Sequence, residues 1–265
     1  MTTQRRRPLA AITGASGGIG EALAERLARN GHDVVLVARS GDKLEALGAD
    51  LSRRYGVQAL ALAYDLSDPH VPTAIVRDLE GRGMVLDVLV NNAGFATYGE
   101  FAKLDPDGEL RMLQVNVVAL THLTRLVLPG MIGRKHGRIM NVASTAAFMP
   151  GPLMTVYYAS KAFVLSFSEG LNEELRGTGV TVTALCPGPT STGFQARAAM
   201  EQSKLVRGRQ IMGVDAVADQ GYAGLIRGQA VVIPGLSNRL LTLLPRFLPR
   251  GIIPGIVKQA QERSH

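Results

Sequence analysis

Tyr157 and Lys161 are four residues apart in the run Tyr157-Tyr158-Ala159-Ser160-Lys161, and Ser144 precedes Tyr157 by thirteen residues. On a helix, a spacing of four puts both side chains on one face, a turn apart. A fixed ammonium beside a phenol stabilises the phenolate, and so lowers a pKa that is about 10 in water. A phenol tuned toward neutrality gives or takes a proton at physiological pH, as interconversion of a carbonyl and an alcohol requires. Rival hydroxyls stand close by: Tyr158 is three residues before Lys161, and Thr145 adjoins Ser144. Cys186, the single cysteine, reads as a small buried hydrophobe rather than a nucleophile.

Such a pair needs elements to hold it, and short apolar runs alternate with segments of helical period along the whole chain. Strands are expected at Leu9–Thr13, Val34–Ala38, Ala59–Tyr64, Leu86–Asn91, Arg138–Ala143, Val180–Cys186 and Ala230–Pro234. Helices are expected at Gly20–Asn30, Asp42–Tyr55, His70–Gly81, around 105–133, and from the Tyr157 region to about Arg176. Strands that are apolar throughout, alternating with helices, predict an α/β fold: a doubly wound parallel sheet with helices on both faces. No linker or compositional break interrupts it. The reading is one domain over 8–235, including a substrate loop at 190–213, with an extension over 236–265.

Composition narrows the classes of function. Of 265 residues, 46% are hydrophobic and 19% charged, which fits a globular chain with a sizeable core. One cysteine excludes an intrachain disulfide and suggests no oxidising compartment, so the expected location is cytoplasmic. The five histidines are scattered without metal-ligand spacing, and no metal is expected. The net charge of +7 is dispersed, aromatic residues are 5% and tryptophan is absent, so a nucleic-acid partner is not expected. Arg5-Arg6-Arg7 and the short apolar run after it lead straight into a glycine turn, unlike a signal peptide. No run of about 20 uncharged apolar residues predicts a spanning helix.

The first strand leads into Thr13-Gly14-Ala15-Ser16-Gly17-Gly18-Ile19-Gly20 and then a helix. Small residues there let the backbone approach a pyrophosphate, and the helix N-terminus offers free N–H groups and the positive end of its dipole. A carboxylate about 20 residues further on would bind the ribose hydroxyls of NAD. That region offers Ala38 and Arg39 instead. A guanidinium suits a 2′-phosphate, so NADP is the expected cofactor and NAD the lesser one.

In these residues the chain resembles the short-chain dehydrogenase/reductase family. The motifs run in order: TGASGGIG at 13–20, Asp65-Leu66, Asn91-Asn92-Ala93-Gly94, Asn116, Ser144, YYASK at 157–161, and Pro187-Gly188 through Thr190 and Thr192. The resemblance implies an oxidoreductase in which Tyr157 is the general acid of reduction and the general base of oxidation. It implies that Lys161 lowers the tyrosine's pKa and holds the nicotinamide ribose, that Ser144 bonds the substrate oxygen, and that Asn116 supports a water-linked relay to Lys161. Gly14, Ser16, Gly17, Gly18, Ile19 and Gly20 would cradle the phosphates. Asp65 with Leu66 would meet the adenine, Asn92, Ala93 and Gly94 would line the cofactor, and Pro187, Gly188, Thr190 and Thr192 would close over the nicotinamide. NADP-preferring members often carry a basic residue where this chain has Gly17, so the NADP reading rests on Arg39 and the missing carboxylate.

Three segments beyond the strand ends qualify to choose the substrate. Residues 95–98 and 146–154 are largely apolar, and 190–213 carries Arg197, Lys204, Arg207 and Arg209 against Glu201. They point to an apolar carbonyl or alcohol, lipid-like or alicyclic, with room for an anionic group. Packing against another subunit explains the same apolar residues, and a homo-oligomer, dimer or tetramer, is expected. The tail from Asn238 to Gln261 is broken by prolines at 245, 249 and 254. Capping of the cleft or oligomer packing is favoured for it over contact with a membrane surface. The competing function is a non-catalytic NADP-binding sensor. Retention of Tyr157, Lys161, Ser144 and Asn116 argues against it, because a sensor has no use for a proton donor.

Overall fold

The computed structural model describes residues 6–191 and 211–262. The strands are β1 (Leu9–Thr13), β2 (Asp33–Ala38), β3 (Ala59–Ala63), β4 (Val88–Asn91), β5 (Gly137–Val142), β6 (Val180–Leu185) and β7 (Val231–Val232). They form one sheet in the order β3-β2-β1-β4-β5-β6-β7, and every pairing is parallel. The chain winds outward from β1 to β3, returns to β4 on the other side of β1, and winds outward again. The strand order therefore reverses between β1 and β4, where open parallel sheets form a crevice at the carboxyl ends of their strands.

The helices are α1 (Gly18–Arg29), α2 (Gly41–Tyr55), α3 (Val71–Gly81), α4 (Pro106–Leu113), α5 (Leu120–Gly133), α6 (Thr155–Glu174), α7 (Val214–Arg227), α8 (Leu236–Leu243) and α9 (Ile253–Gln261). Alternate strand residues serve opposite faces, as the two-residue period requires. Ala10, Ile12, Val34 and Leu36 pack with Leu23 and Leu27 of α1 and Leu44 and Leu51 of α2. Leu9, Ala11, Val35 and Val37 pack on the other side with Ile75 of α3 and Leu123 of α5. Each Leu or Ile buried this way contributes about 1.5–3 kcal/mol, so both faces hold the sheet flat against its helices. Arg26 on α1 clamps α7 by donating to Asp219 at 2.9 Å and to Asp215 at 2.7 Å.

Several boundaries differ from expectation. Helix α1 starts at Gly18 rather than Gly20, because Gly18 at φ 60 turns the backbone directly into the helix. Strand β7 has only two residues, and α3 begins at Val71, after His70. The helical stretch expected around 105–133 is α4 and α5 joined by a π-turn over Gln114–Ala119. This stretch, Pro106–Gly133, is long and apolar enough by composition to cross a membrane. Its buried side, however, carries Met112, Val115, Leu123 and Met131 into the protein core. Helix α7 had no counterpart in the strand–helix reading.

Candidate active site

The site is assembled at the β1–β4 switch point. The turn after β1 approaches the turn after β4 so closely that glycine is needed. A Cβ on Gly14, which has φ +66, would stand 2.7 Å from Asn92 Nδ2 and 2.9 Å from Ala93 Cα. One on Gly20 would stand 2.3 Å from the Gly14 carbonyl oxygen. Thr13 Oγ1 accepts from the backbone N–H of Asn92 and of Ala93, both at 3.0 Å. The Asn92 amide returns bonds to the carbonyls of Thr13 at 2.9 Å and Gly14 at 3.1 Å. The two turns thus form one rigid rim. A Cβ on Gly17, by contrast, would meet only Glu21 Oε2, at an ordinary 3.9 Å.

A cleft of about 1530 Å³ runs along this rim. Gly14, Ser16, Gly17, Gly18 and Ile19 line it, whereas Gly20 is buried behind the turn. Arg39, Asp65 and Leu66 lie at one end, beyond β2 and β3. Lys43 joins Arg39 there from the first turn of α2, and no motif marks it in the sequence. Asn92, Ala93 and Gly94 line the middle, and Pro187, Gly188 and Thr190 close the far side. Thr192 and most of the expected substrate loop lie outside the described residues.

Tyr157 and Lys161 ride on α6 and face the cleft, both buried. The Lys161 ammonium donates to the Val142 carbonyl at 2.7 Å and lies 5.9 Å from the centre of the Tyr157 ring. Ser144, at the end of β5, is hydrogen-bonded to the Tyr157 phenol. It also accepts from the N–H of Ala146 at 3.1 Å, which fixes its hydroxyl at the start of a short 3-10 turn. Gly151 packs beneath the rings: a Cβ there would stand 2.3 Å from Tyr158. Cys186 is wholly buried and burial pushes its thiol up to about 12, as suits an inert core residue.

One expectation is corrected. The sequence spacing suggested a phenol lowered by its lysine. Instead burial pushes Tyr157 up to about 12, opposed only by the Ser144 hydrogen bond. Burial also brings Lys161 down to about 8. Desolvation disfavours the charged form of each group. At neutral pH the phenol holds its proton and the ammonium its charge.

Asn116 does not line the cleft but sits immediately behind it, inside the π-turn. Its Oδ1 accepts from the Phe95 N–H at 3.1 Å, and its Nδ2 donates to the Phe95 carbonyl at 3.0 Å and to Ser160 Oγ at 3.1 Å. A Cβ on Gly94 would stand 3.0 Å from Asn116 Oδ1 and 3.5 Å from Lys161 Nζ, so these two groups meet at Gly94. π-turns concentrate at functional sites, where they re-aim side chains out of the helical register.

Beyond Tyr157 the cleft becomes apolar, with Phe95, Met149, Met154, Leu241, Ile256 and Val257 on its walls. The last three come from α8 and α9, so the C-terminal extension does cap the site. Tyr98 ties it down by donating from its hydroxyl to the Gln261 carbonyl at 2.8 Å. Asn238 of α8 fills the space beside Gly188, where a Cβ would stand 2.5 Å from its Oδ1. Exposed Arg111, on α4, adds a cation at the edge.

The family model for short chain dehydrogenases matches residues 8–203. A very-long-chain 3-oxoacyl-CoA reductase of Mus musculus is 33% identical over 96% of this chain and 81% of its own length. The protein of the same name from Anas platyrhynchos is 39% identical over 67% of this chain, a match spanning only 58% of that relative. Among solved structures, a short-chain dehydrogenase from Sphingobium yanoikuyae in complex with NADPH is 38% identical, with a TM-score of 0.81, covering 97% of this chain and 99% of the other. A bulky-bulky ketone specific alcohol dehydrogenase from Comamonas testosteroni is 32% identical, with a TM-score of 0.77, covering 91% and 92%.

Proposed function

The chain belongs to the short-chain dehydrogenase family and is an NAD(P)-dependent oxidoreductase, and from that premise we propose that it reduces a large apolar ketone, foremost a 3-oxoacyl thioester, with NADPH. The observation that carries this reading is the joint placement of the Ser144 and Tyr157 hydroxyls. They stand together between a glycine cradle on one side and an apolar chamber on the other.

The cradle fits the dinucleotide. Gly14 and Gly20 leave backbone where any side chain would intrude, and the α1 N-terminus adds its dipole. Arg39 and Lys43 supply two cations for a 2′-phosphate at the end of the cleft where an NAD site would need a carboxylate. Bound there, NADPH would supply the hydride for the carbonyl carbon; the one proton that completes the alcohol comes from Tyr157, which solvent then recharges.

The protein's own groups do the rest. Ser144 and Tyr157 donate hydrogen bonds to the substrate oxygen and stabilise the negative charge that grows on it. Tyr157 holds its proton at neutral pH and hands it to that oxygen. Lys161, still charged below pH about 8, steadies the phenolate left behind. Asn116 holds the Phe95 backbone and Ser160, and so keeps the floor under Lys161 in place.

The apolar walls support a lipid-like or bulky substrate, and Arg111 supports an anionic group at its outer end. The names of the mouse and Comamonas testosteroni relatives agree with that chemistry. The test is NADPH oxidation over a carbonyl panel: 3-oxoacyl thioesters of increasing length, bulky ketones and small sugars. We expect kcat/KM to rise with the apolar size of the substrate. Turnover confined to small hydrophilic sugars would overturn the substrate class. Tight NADPH binding with no turnover on any member would favour the non-catalytic sensor.

A further inference from the structure

We propose that the outer face of the C-terminal extension, from Leu236 to Ile256, is a docking surface for an anionic lipid bilayer. Of the fifteen large apolar side chains exposed among the described residues, nine lie in this one segment, seven of them away from the cleft that Leu241 and Ile256 line. Phe247 is 83% exposed and Leu236 73%, and Leu240, Leu244 and Ile252 are each more than half exposed. Soluble surfaces rarely gather apolar side chains so densely without a partner.

The charge pattern identifies that partner. Arg239, Arg246, Arg250 and Lys258 lie along the segment, and no Asp or Glu occurs between Val231 and Gln261. Arg246 and Arg250 form no ion pair among the described residues. A second copy docking through this face by a two-fold axis would set arginine against arginine, with no carboxylate in the patch to compensate. An anionic membrane surface meets both demands at once. Its headgroups neutralise the basic residues, and its acyl boundary accepts Phe247 and the leucines.

The segment is built for this. Pro245 and Pro249 break it between α8 and α9, so a short apolar turn projects from two helices that are anchored on their inner side. That inner side buries Ile253 and Val257 against the Tyr157–Tyr158 cluster, and Leu241 and Ile256 line the cleft. The projecting turn therefore hangs beside the mouth of the apolar chamber. An enzyme docked there would open its chamber toward the lipid, where a long-chain substrate dissolves. Docking itself does not depend on the catalytic reading and would hold for an inactive binder.

The test is flotation of the full chain with vesicles of phosphatidylcholine, with and without phosphatidylglycerol. We expect binding to the phosphatidylglycerol mixture that weakens as salt rises. The double variant Arg246→Glu/Arg250→Glu should weaken it more than about tenfold. Leu244→Ser/Phe247→Ser should weaken binding even at low salt. Both variants should bind NADPH as the parent does, which shows that they fold. Absence of binding to the anionic vesicles would overturn the proposal. So would binding unchanged in either variant, or a concentration-dependent dimer that Leu244→Ser/Phe247→Ser dissolves.

Discussion

At the scale of single residues, the site rests on two ionisable groups that burial has pushed in opposite senses. Tyr157 is raised to about 12 by burial, with the Ser144 bond pulling the other way. Lys161 is lowered by burial to about 8. The sign of the pH dependence follows. Below about pH 8 the ammonium is charged and the phenol protonated, the pair that reduction needs. As pH rises through about 8, Lys161 loses its charge while Tyr157 keeps its proton, and the phenolate formed in reaction loses its support. Carbonyl reduction should therefore show kcat/KM falling above about pH 8, read from initial rates in constant-ionic-strength buffers. A profile flat to about pH 10 would contradict this. Arg39 belongs to the same scale. It is exposed at the end of β2, and its guanidinium is free to form a bidentate contact with a phosphate. NADPH should bind at least about tenfold more tightly than NADH, and Arg39→Asp should narrow or reverse the ratio. Equal affinities in the parent would remove the argument.

At the scale of elements, the position of α6 decides the chemistry, because it carries both Tyr157 and Lys161. A buried polar chain pins it to the sheet. Asn91 on β4 donates to Thr124 of α5 at 3.0 Å and to Asn141 of β5 at 2.9 Å, and Asn141 donates to Ser168 of α6 at 2.9 Å. Asn141 and Ser168 are fully buried, so neither can turn to water. Asn141→Ala takes one hydrogen bond from Asn91, which keeps Thr124, and one from Ser168, which keeps the Val164 carbonyl at 2.6 Å. The Asn91 N–H that faced Asn141 is left buried without an acceptor, and a buried polar group so left costs about 1–3 kcal/mol. For a chain of this size we expect the melting temperature to fall by roughly 3–10 °C, measured by scanning calorimetry. Turnover should fall with it, as α6 loosens from the sheet. An unchanged melting temperature would mean that apolar packing alone holds α6. Gly151, pressed against the Tyr158 ring, completes the seat of α6.

At the scale of the molecule, contiguous signals in the sequence were the legible ones. The glycine turn, the asparagine turn after β4 and the Tyr–Lys pair each lie within a few residues, and their chemistry is visible without the fold. The parallel sheet was legible too, because strands buried on both faces are apolar throughout. Features set by distant contacts were not. Burial of Tyr157 and Lys161 reversed the expected direction of the tyrosine's shift. The π-turn at Asn116 has no sequence signature of its own. Helix α7 falls where Arg26, far back in the chain, supplies its clamp. The two faces of α8 and α9, one lining the cleft and one turned outward, separate only when the sheet is in place. Substitution of Tyr157 by phenylalanine probes the whole account most directly, since it keeps the ring and deletes only the proton donor. NADPH oxidation by the parent and by Tyr157→Phe should be compared on the best ketone of the panel, with NADPH affinity measured alongside by fluorescence. The account predicts near-parental NADPH affinity and a fall in kcat of at least about a hundredfold. A Tyr157→Phe enzyme that turns over near the parental rate would contradict it.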